Sequence, residues 1–113
     1  MTKSLGEFEQ SILFALVQLE DDAYGASIGR TIERRTGRLV SAGAIYTALD
    51  RLEARGLVES RVGDPTGKRG GRRRKHYELT AAGAMSLSDT VERMRAMSEG
   101  LIPKLEALTG GRR

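Results

Sequence analysis

Residues 41–58 read SAGAIYTALDRLEARGLV. Ser41 suits the cap of a helix, because its side-chain oxygen can accept from a backbone N–H of the first turn. Ile45, Leu49 and Leu52 then share one helical face, with Ala48 between them. Gly56 suits the close of that helix. The opposite face carries Gly43, Thr47, Arg51 and Ala54, so it begins with small residues and few charges. A helix that merely faced water would usually carry Glu and Lys there. Small residues at an exposed helix start let another surface approach closely; the structural alternative is packing against the first helix. Residues 57–62, LVESRV, alternate weakly and read as a strand.

Upstream of this stretch are two further helices. In residues 4–19, Leu5, Phe8, Ile12, Leu16 and Leu19 recur at spacings of three and four, with Leu13 and Val17 widening the stripe. Glu7 and Glu9 lie in the first turn, where the helix dipole favours them. The run DDAYG interrupts the pattern. Asp22 is a plausible cap for a second helix over residues 23–35, with Tyr24, Ile28 and Ile32 as its stripe and Gly37 as its left-handed terminator.

Downstream, residues 63–71, GDPTGKRGG, are rich in turn formers, and residues 76–79, HYEL, read as a returning strand. The two strands make a hairpin with a basic, glycine-rich tip. Thr80 caps a last long helix reaching about Leu101. Its apolar positions Leu87, Val91, Met94 and Leu101 follow a heptad seam, with Met97 beside it. Pro103 ends or kinks the helix, and residues 104–113 form a short amphipathic turn or a frayed tail.

Composition narrows the function. The chain has 113 residues, 39% of them hydrophobic and 30% charged, which is ordinary globular composition. It has no Cys, so disulfide scaffolds and Cys-ligated zinc are excluded, and His76 is its single histidine. No metal, cofactor or enzymatic chemistry is expected. No apolar run approaches the ~20 residues of a membrane span. The acids near the start, in MTKSLGEFEQ, are unlike a signal peptide, so a cytoplasmic protein is expected.

The net charge is +4, yet residues 68–75, KRGGRRRK, alone carry six positive charges. Without them the chain has 13 basic against 15 acidic residues, so the basic character belongs to one short segment. Such a local patch on a near-neutral body suits a polyanion. GDPTGK resembles a phosphate-binding loop, but its spacing is one residue short and Arg69 stands where Ser or Thr is needed.

The order helix, helix, helix, strand, strand, long helix is mainly α with a small β-hairpin (α+β). It defines a winged helix-turn-helix whose third helix enters the DNA major groove and whose hairpin is the wing. In that frame Ser41, Ala42 and Gly43 offer a helix start to a phosphate. Thr47 meets a thymine methyl or a base edge, and Arg51 a guanine or a phosphate. Arg51 has the alternative of an exposed ion pair with Glu53, of little energetic value. Tyr46 either bonds a phosphate or packs on the first helix. Tyr24 or Ser27, at the start of the second helix, reaches the DNA backbone, or Tyr24 is structural. Lys68, Arg69, Arg72, Arg73, Arg74 and Lys75 grip phosphates from the wing, with one Arg entering an A·T-rich minor groove. His76 is expected at an exposed wing position.

The sequence resembles the PadR family of bacterial transcriptional regulators. The resemblance rests on AYG at Ala23 to Gly25, GAIYTALDRLEARGLV at Gly43 to Val58, and GGRRRKHYELTAAG at Gly70 to Gly83, in the family's order and spacing. At His76 the family often has Tyr or another aromatic. The resemblance implies a homodimeric repressor on a palindromic double-stranded operator, of the short subtype with a single C-terminal dimerisation helix. The expected division is a winged helix-turn-helix over residues 1–80, followed by a dimerisation helix and tail over residues 81–113. Leu87, Val91, Met94, Met97 and Leu101 would form the dimer seam, where adaptable Met side chains accommodate a small apolar effector. The chain has no Trp, so the family's stacking of flat ligands between tryptophans does not carry over. The competing reading is a winged-helix RNA-binding or protein-interaction module that uses the same basic loop.

Overall fold

The structure is a computed structural model that describes residues 4–63 and 74–110. Helix α1, Glu7–Leu19, opens where the Gly6 N–H donates to the Glu9 carboxylate at 2.9 Å. Its buried face carries Ile12, Leu13 and Leu16, with Phe8 and Leu19 half-buried beside them. Val17 was expected to widen this stripe, but it is 52% exposed on the far side of the helix.

Helix α2, Gly25–Thr36, starts two residues later than expected and is not capped by Asp22. Tyr24 holds the cap position, and the hydroxyl of buried Ser27 does the bonding. It accepts from the Tyr24 N–H at 3.0 Å and donates to the Asp22 carbonyl at 2.6 Å. A buried Ser can serve backbone groups on both sides of the turn, a role the exposed carboxylate of Asp22 does not take. Gly37 ends the helix in the left-handed region, with φ of 78°.

Helix α3, Ala42–Ala54, is capped by Ser41, whose side chain accepts from the Ala44 N–H at 3.1 Å. Ile45, Ala48, Leu49 and Leu52 are buried as the pattern requires. At its far end Arg55 reaches Glu9 of α1 at 3.3 Å in a mostly buried ion pair.

Strands β1, Val58–Val62, and β2, Lys75–Leu79, pair antiparallel, with Ser60 opposite Tyr77 and Arg61 opposite His76. The segment before α2 adds a third, one-residue rung. Tyr24 bridges to His76, and the Tyr77 N–H donates to the Ala23 carbonyl at 2.9 Å. The hairpin base is therefore tied to the start of α2. The tip expected to carry Lys68, Arg69, Arg72 and Arg73 lies outside the described residues.

Helix α4, Ala81–Ser98, is capped by Thr80, which accepts from the Gly83 N–H at 3.0 Å. The same hydroxyl donates to the Gly56 carbonyl at 2.7 Å, and the Thr80 N–H donates to the Leu57 carbonyl at 3.1 Å. Gly83 lies so close that a Cβ there would overlap the Leu57 carbonyl oxygen. This cluster joins the end of α3, the wing base and the start of α4.

The last helix does not run to Leu101. It stops at Ser98, Gly100 turns at φ of 77°, and α5, Ile102–Leu108, follows with Pro103 in its first turn. Pro103 therefore starts a helix here instead of ending one, because its missing N–H costs nothing where no intrahelical partner exists. Of the segment expected to be a turn or frayed tail, residues 104–108 lie in this helix. The radius of gyration is 16.6 Å, against ~13 Å for a compact chain of this length. Among the described residues, no helix is long and apolar enough to cross a membrane.

Candidate nucleic-acid interface

The inner faces of α1, α2 and α3 are committed to the core, which leaves the outer face of α3 exposed. Ser41, Ala42, Gly43, Tyr46, Thr47 and Arg51 all lie on it. Ser41 accepts one bond as a cap and keeps its hydroxyl proton to donate outward. A Cβ on Gly43 would meet nothing of the chain within 4 Å, so the fold does not require glycine there. Arg51 forms no ion pair among the described residues, so its expected alternative with Glu53 is not seen. Glu53 instead accepts from the Ser60 hydroxyl at 2.8 Å.

Tyr46 packs on α2. Its ring lies across Gly25, the first residue of α2, so closely that a Cβ on Gly25 would overlap the hydroxyl and ring. The ring is still 42% exposed. The Gly of AYG and the Tyr of GAIY are thus two halves of one contact. It fixes α3 against α2 and leaves the Tyr46 hydroxyl beside the start of α2.

Ser27 does not join this exposed surface. It is 3% exposed, and its hydroxyl is used within the α2 cap. Tyr24 is half-buried and carries more contacts than the sequence suggested. Its hydroxyl accepts from an Arg30 guanidinium nitrogen at 3.1 Å. The Arg74 guanidinium lies 4.2 Å from its ring centre, and that of Arg30 lies 5.9 Å away. His76 meets the same ring edge-on, with centroids 5.6 Å apart. Sequence reading passed over Arg30 because a separation of six residues is not a helical-face spacing.

His76 is also not at an exposed wing position. Its ring is half-buried between Tyr24 and the hairpin, and its Nδ1 is sealed from solvent without a hydrogen-bond partner among the described residues. Lys75 sits on the other side of the strand, with its ammonium 5.8 Å from the Tyr77 ring centre. Burial, and then the nearby Tyr46, Asp50 and Glu53 side chains, push the Tyr77 pKa up to about 12. Among the described residues, no cluster of His, Asp or Glu could hold a metal ion.

A second exposed surface is apolar. Leu87 of the expected seam is buried in the chain's own core, and Val91 is half-buried. Met94, Met97 and Leu101 are exposed, together with Phe14 and Val17 of α1 and Ile102, Leu105 and Leu108 of α5. Met97, Ser98, Leu101, Lys104, Leu105 and Leu108 line a cavity of about 300 Å³ in the elbow between α4 and α5.

Three helices, the third with an exposed outer face, followed by a hairpin tied to their base, define a winged helix-turn-helix. The chain belongs to the PadR-like family of transcriptional regulators, whose sequence model matches residues 12–89. Its fold is similar to that of a PadR family transcription regulator from Clostridium difficile. That likeness has a TM-score of 0.73 and 27% identity, and covers 88% of this chain and 99% of that one. A PadR-like regulator from Bacillus cereus is similar at a TM-score of 0.68 and 26% identity, over 87% and 89% of the two chains. RosR of H. salinarum is similar at 0.68 and 28%, over 96% and 90%. An uncharacterised protein of Lysinibacillus sphaericus is 32% identical over 91 residues, which is 79% of this chain and 80% of that one. DNA-binding transcriptional regulation is the function this membership implies.

Proposed function

We propose that the protein is a homodimeric repressor that binds an inverted repeat in double-stranded DNA and works in the cytoplasm. The observation that carries the reading is the outer face of α3, which is exposed, starts with small residues and keeps a glycine that the fold does not need. Ala42 and Gly43 let the backbone come close to a phosphate, and the Ser41 hydroxyl donates to it. Thr47 and Arg51 point the same way and read base edges. The Tyr46 hydroxyl bonds the phosphate backbone beside the start of α2. Arg74 and Lys75 begin the basic wing that Lys68, Arg69, Arg72 and Arg73 complete.

Two copies associate through Val91, Met94, Met97 and Leu101, joined by Phe14 and Val17 of α1 and by the apolar residues of α5. An exposed set this large on a small chain is what an interface looks like before its partner arrives. Residues 81–113 are the dimerisation unit in this reading, although Leu87 also serves the core. The elbow cavity is the place for a small apolar effector whose binding would relieve repression.

Selection of bound fragments from random double-stranded DNA tests the proposal. The expected outcome is an enriched inverted repeat with half-sites about ten base pairs apart. Salt-labile binding with no enriched motif would overturn it in favour of an RNA-binding or protein-interaction module that uses the basic loop.

A further inference from the structure

We infer that Arg30, Tyr24 and Arg74 form a phosphodiester-binding site at the junction of α2 and the wing. Tyr24 is the positioning residue of this site, and the two arginines are its ligands. The inference rests on the DNA-binding reading above and names a contact that sequence spacing does not reveal.

Both guanidinium carbons lie within 6 Å of one aromatic ring centre. Arg30 is held twice, by its bond to the Tyr24 hydroxyl at 3.1 Å and by the ring itself. Arg74 is held over the ring at 4.2 Å. The ring in turn cannot wander. Its backbone caps α2 and bridges to β2, and its edge is braced by His76.

Two like charges gathered in this way repel each other, and the attraction of a ring face for a cation is modest at an exposed site. In a purely structural cluster an acid would be expected between them. Neither arginine forms an ion pair among the described residues, and both are exposed. Among the described residues, the arrangement therefore has two fixed cations and no counter-charge. A phosphate supplies that charge and accepts from the planar donors of both arginines. The site lies at the start of α2, beside the hydroxyl of Tyr46, so a backbone running past α3 also passes the two arginines. The phenol of Tyr24 already accepts from Arg30, so Tyr24 orders the cations and does not itself need to touch the DNA.

The test is the salt dependence of binding to a labelled duplex of random sequence, followed by fluorescence anisotropy. Each phosphate contact contributes about 0.9 to the slope of log affinity against log salt. Arg30→Ala should lower the slope by about that amount, so affinity lost between ~50 and ~200 mM salt shrinks about 3.5-fold. Arg35→Ala, an equal charge change on the α1 side of the same helix, should leave the slope alone. Tyr24→Leu should weaken binding in the wild-type background and have no effect in an Arg30→Ala, Arg74→Ala background. A Tyr24 that merely supports the fold would weaken both. If Tyr24→Leu does not fold, Arg30→Ala against Arg35→Ala still decides the matter. A steep wild-type slope that Arg30→Ala leaves intact would overturn the site alone. A wild-type protein that binds duplex without salt dependence would overturn the DNA-binding reading, and the site with it.

Discussion

Replacing Gly83 with Ala should destabilise the protein, although the position is helical and Ala is the better helix former. The gain from propensity is at most about 1 kcal/mol. Against it stands the overlap of the new methyl with the Leu57 carbonyl oxygen and its close approach to a Leu79 methyl. Backbone does not swing aside as a side chain does, and overpacking of this kind costs about 1–3 kcal/mol. Moving α4 away to relieve it stretches the Thr80 bonds to the Gly56 and Leu57 carbonyls. Each of those contributes about 1 kcal/mol. The net loss is about 2–4 kcal/mol, which for a chain of this size lowers the melting temperature by about 10 °C or more. The assay is thermal unfolding by circular dichroism at matched protein concentration, since self-association would also move the midpoint. Gly43→Ala is the internal control. It is the same chemical change, again in a first turn, but into open space. It should leave the midpoint unchanged or raise it. A Gly83→Ala protein as stable as Gly43→Ala would refute the claim that the Thr80–Gly83 cluster welds α4 to the wing.

Gly43→Ala should nevertheless lower affinity for the selected operator about tenfold or more, a loss of at least about 1.4 kcal/mol, because its methyl would occupy the space a phosphate needs. Unchanged affinity in a titration would remove the close approach at α3. Leu105→Glu with Leu108→Glu should weaken self-association at least about 100-fold, since burying each leucine is worth about 1.5–3 kcal/mol; identical sedimentation would exclude α5 from the interface. Tyr77 keeps its proton up to about pH 12 when folded and loses it near 10 when unfolded. Its stabilising contribution is therefore intact below pH 10 and is lost as pH rises through about 12, roughly 3 kcal/mol in all. Urea unfolding across that window should show the loss, and Tyr77→Phe should show less of it.

The core and the order of elements could be read from sequence because they rest on periodicity. Ile45, Leu49 and Leu52 repeat at helical spacing, and the caps at Ser41 and Thr80 sit where local chemistry puts them. What escaped depends on contacts between segments. Asp22 looked like the cap of α2 because Ser27 advertises nothing in sequence until burial turns its hydroxyl inward. The contact of Tyr46 with α2 leaves no trace in the sequence, because only the fold brings Gly25 beneath the ring. His76 looked exposed because the rung contributed by Tyr24 is a single residue and leaves no strand pattern. Pro103 read as a terminator because the stop at Gly100 lies three residues earlier and resets its meaning. Arg30 was missed for the same reason as the Tyr24 rung: its partner lies across a turn, at no recognisable period.

The weld at Thr80 has a mechanical meaning. Helix α4 has 18 residues and so spans about 27 Å. Because its base is fastened to both the end of α3 and the wing, the reading head and the arm form a single rigid lever with a long handle. In the proposed dimer, a tilt of about five degrees between the two handles would displace one reading head relative to the other by about 2 Å over that length, a large fraction of a hydrogen bond's reach. In the dimer proposed above, an effector bound at the far end of α4 would need no path through the protein's interior. It would act as torque on the handle, and DNA bound by such a dimer would sense the change as a misfit in the distance between two half-sites.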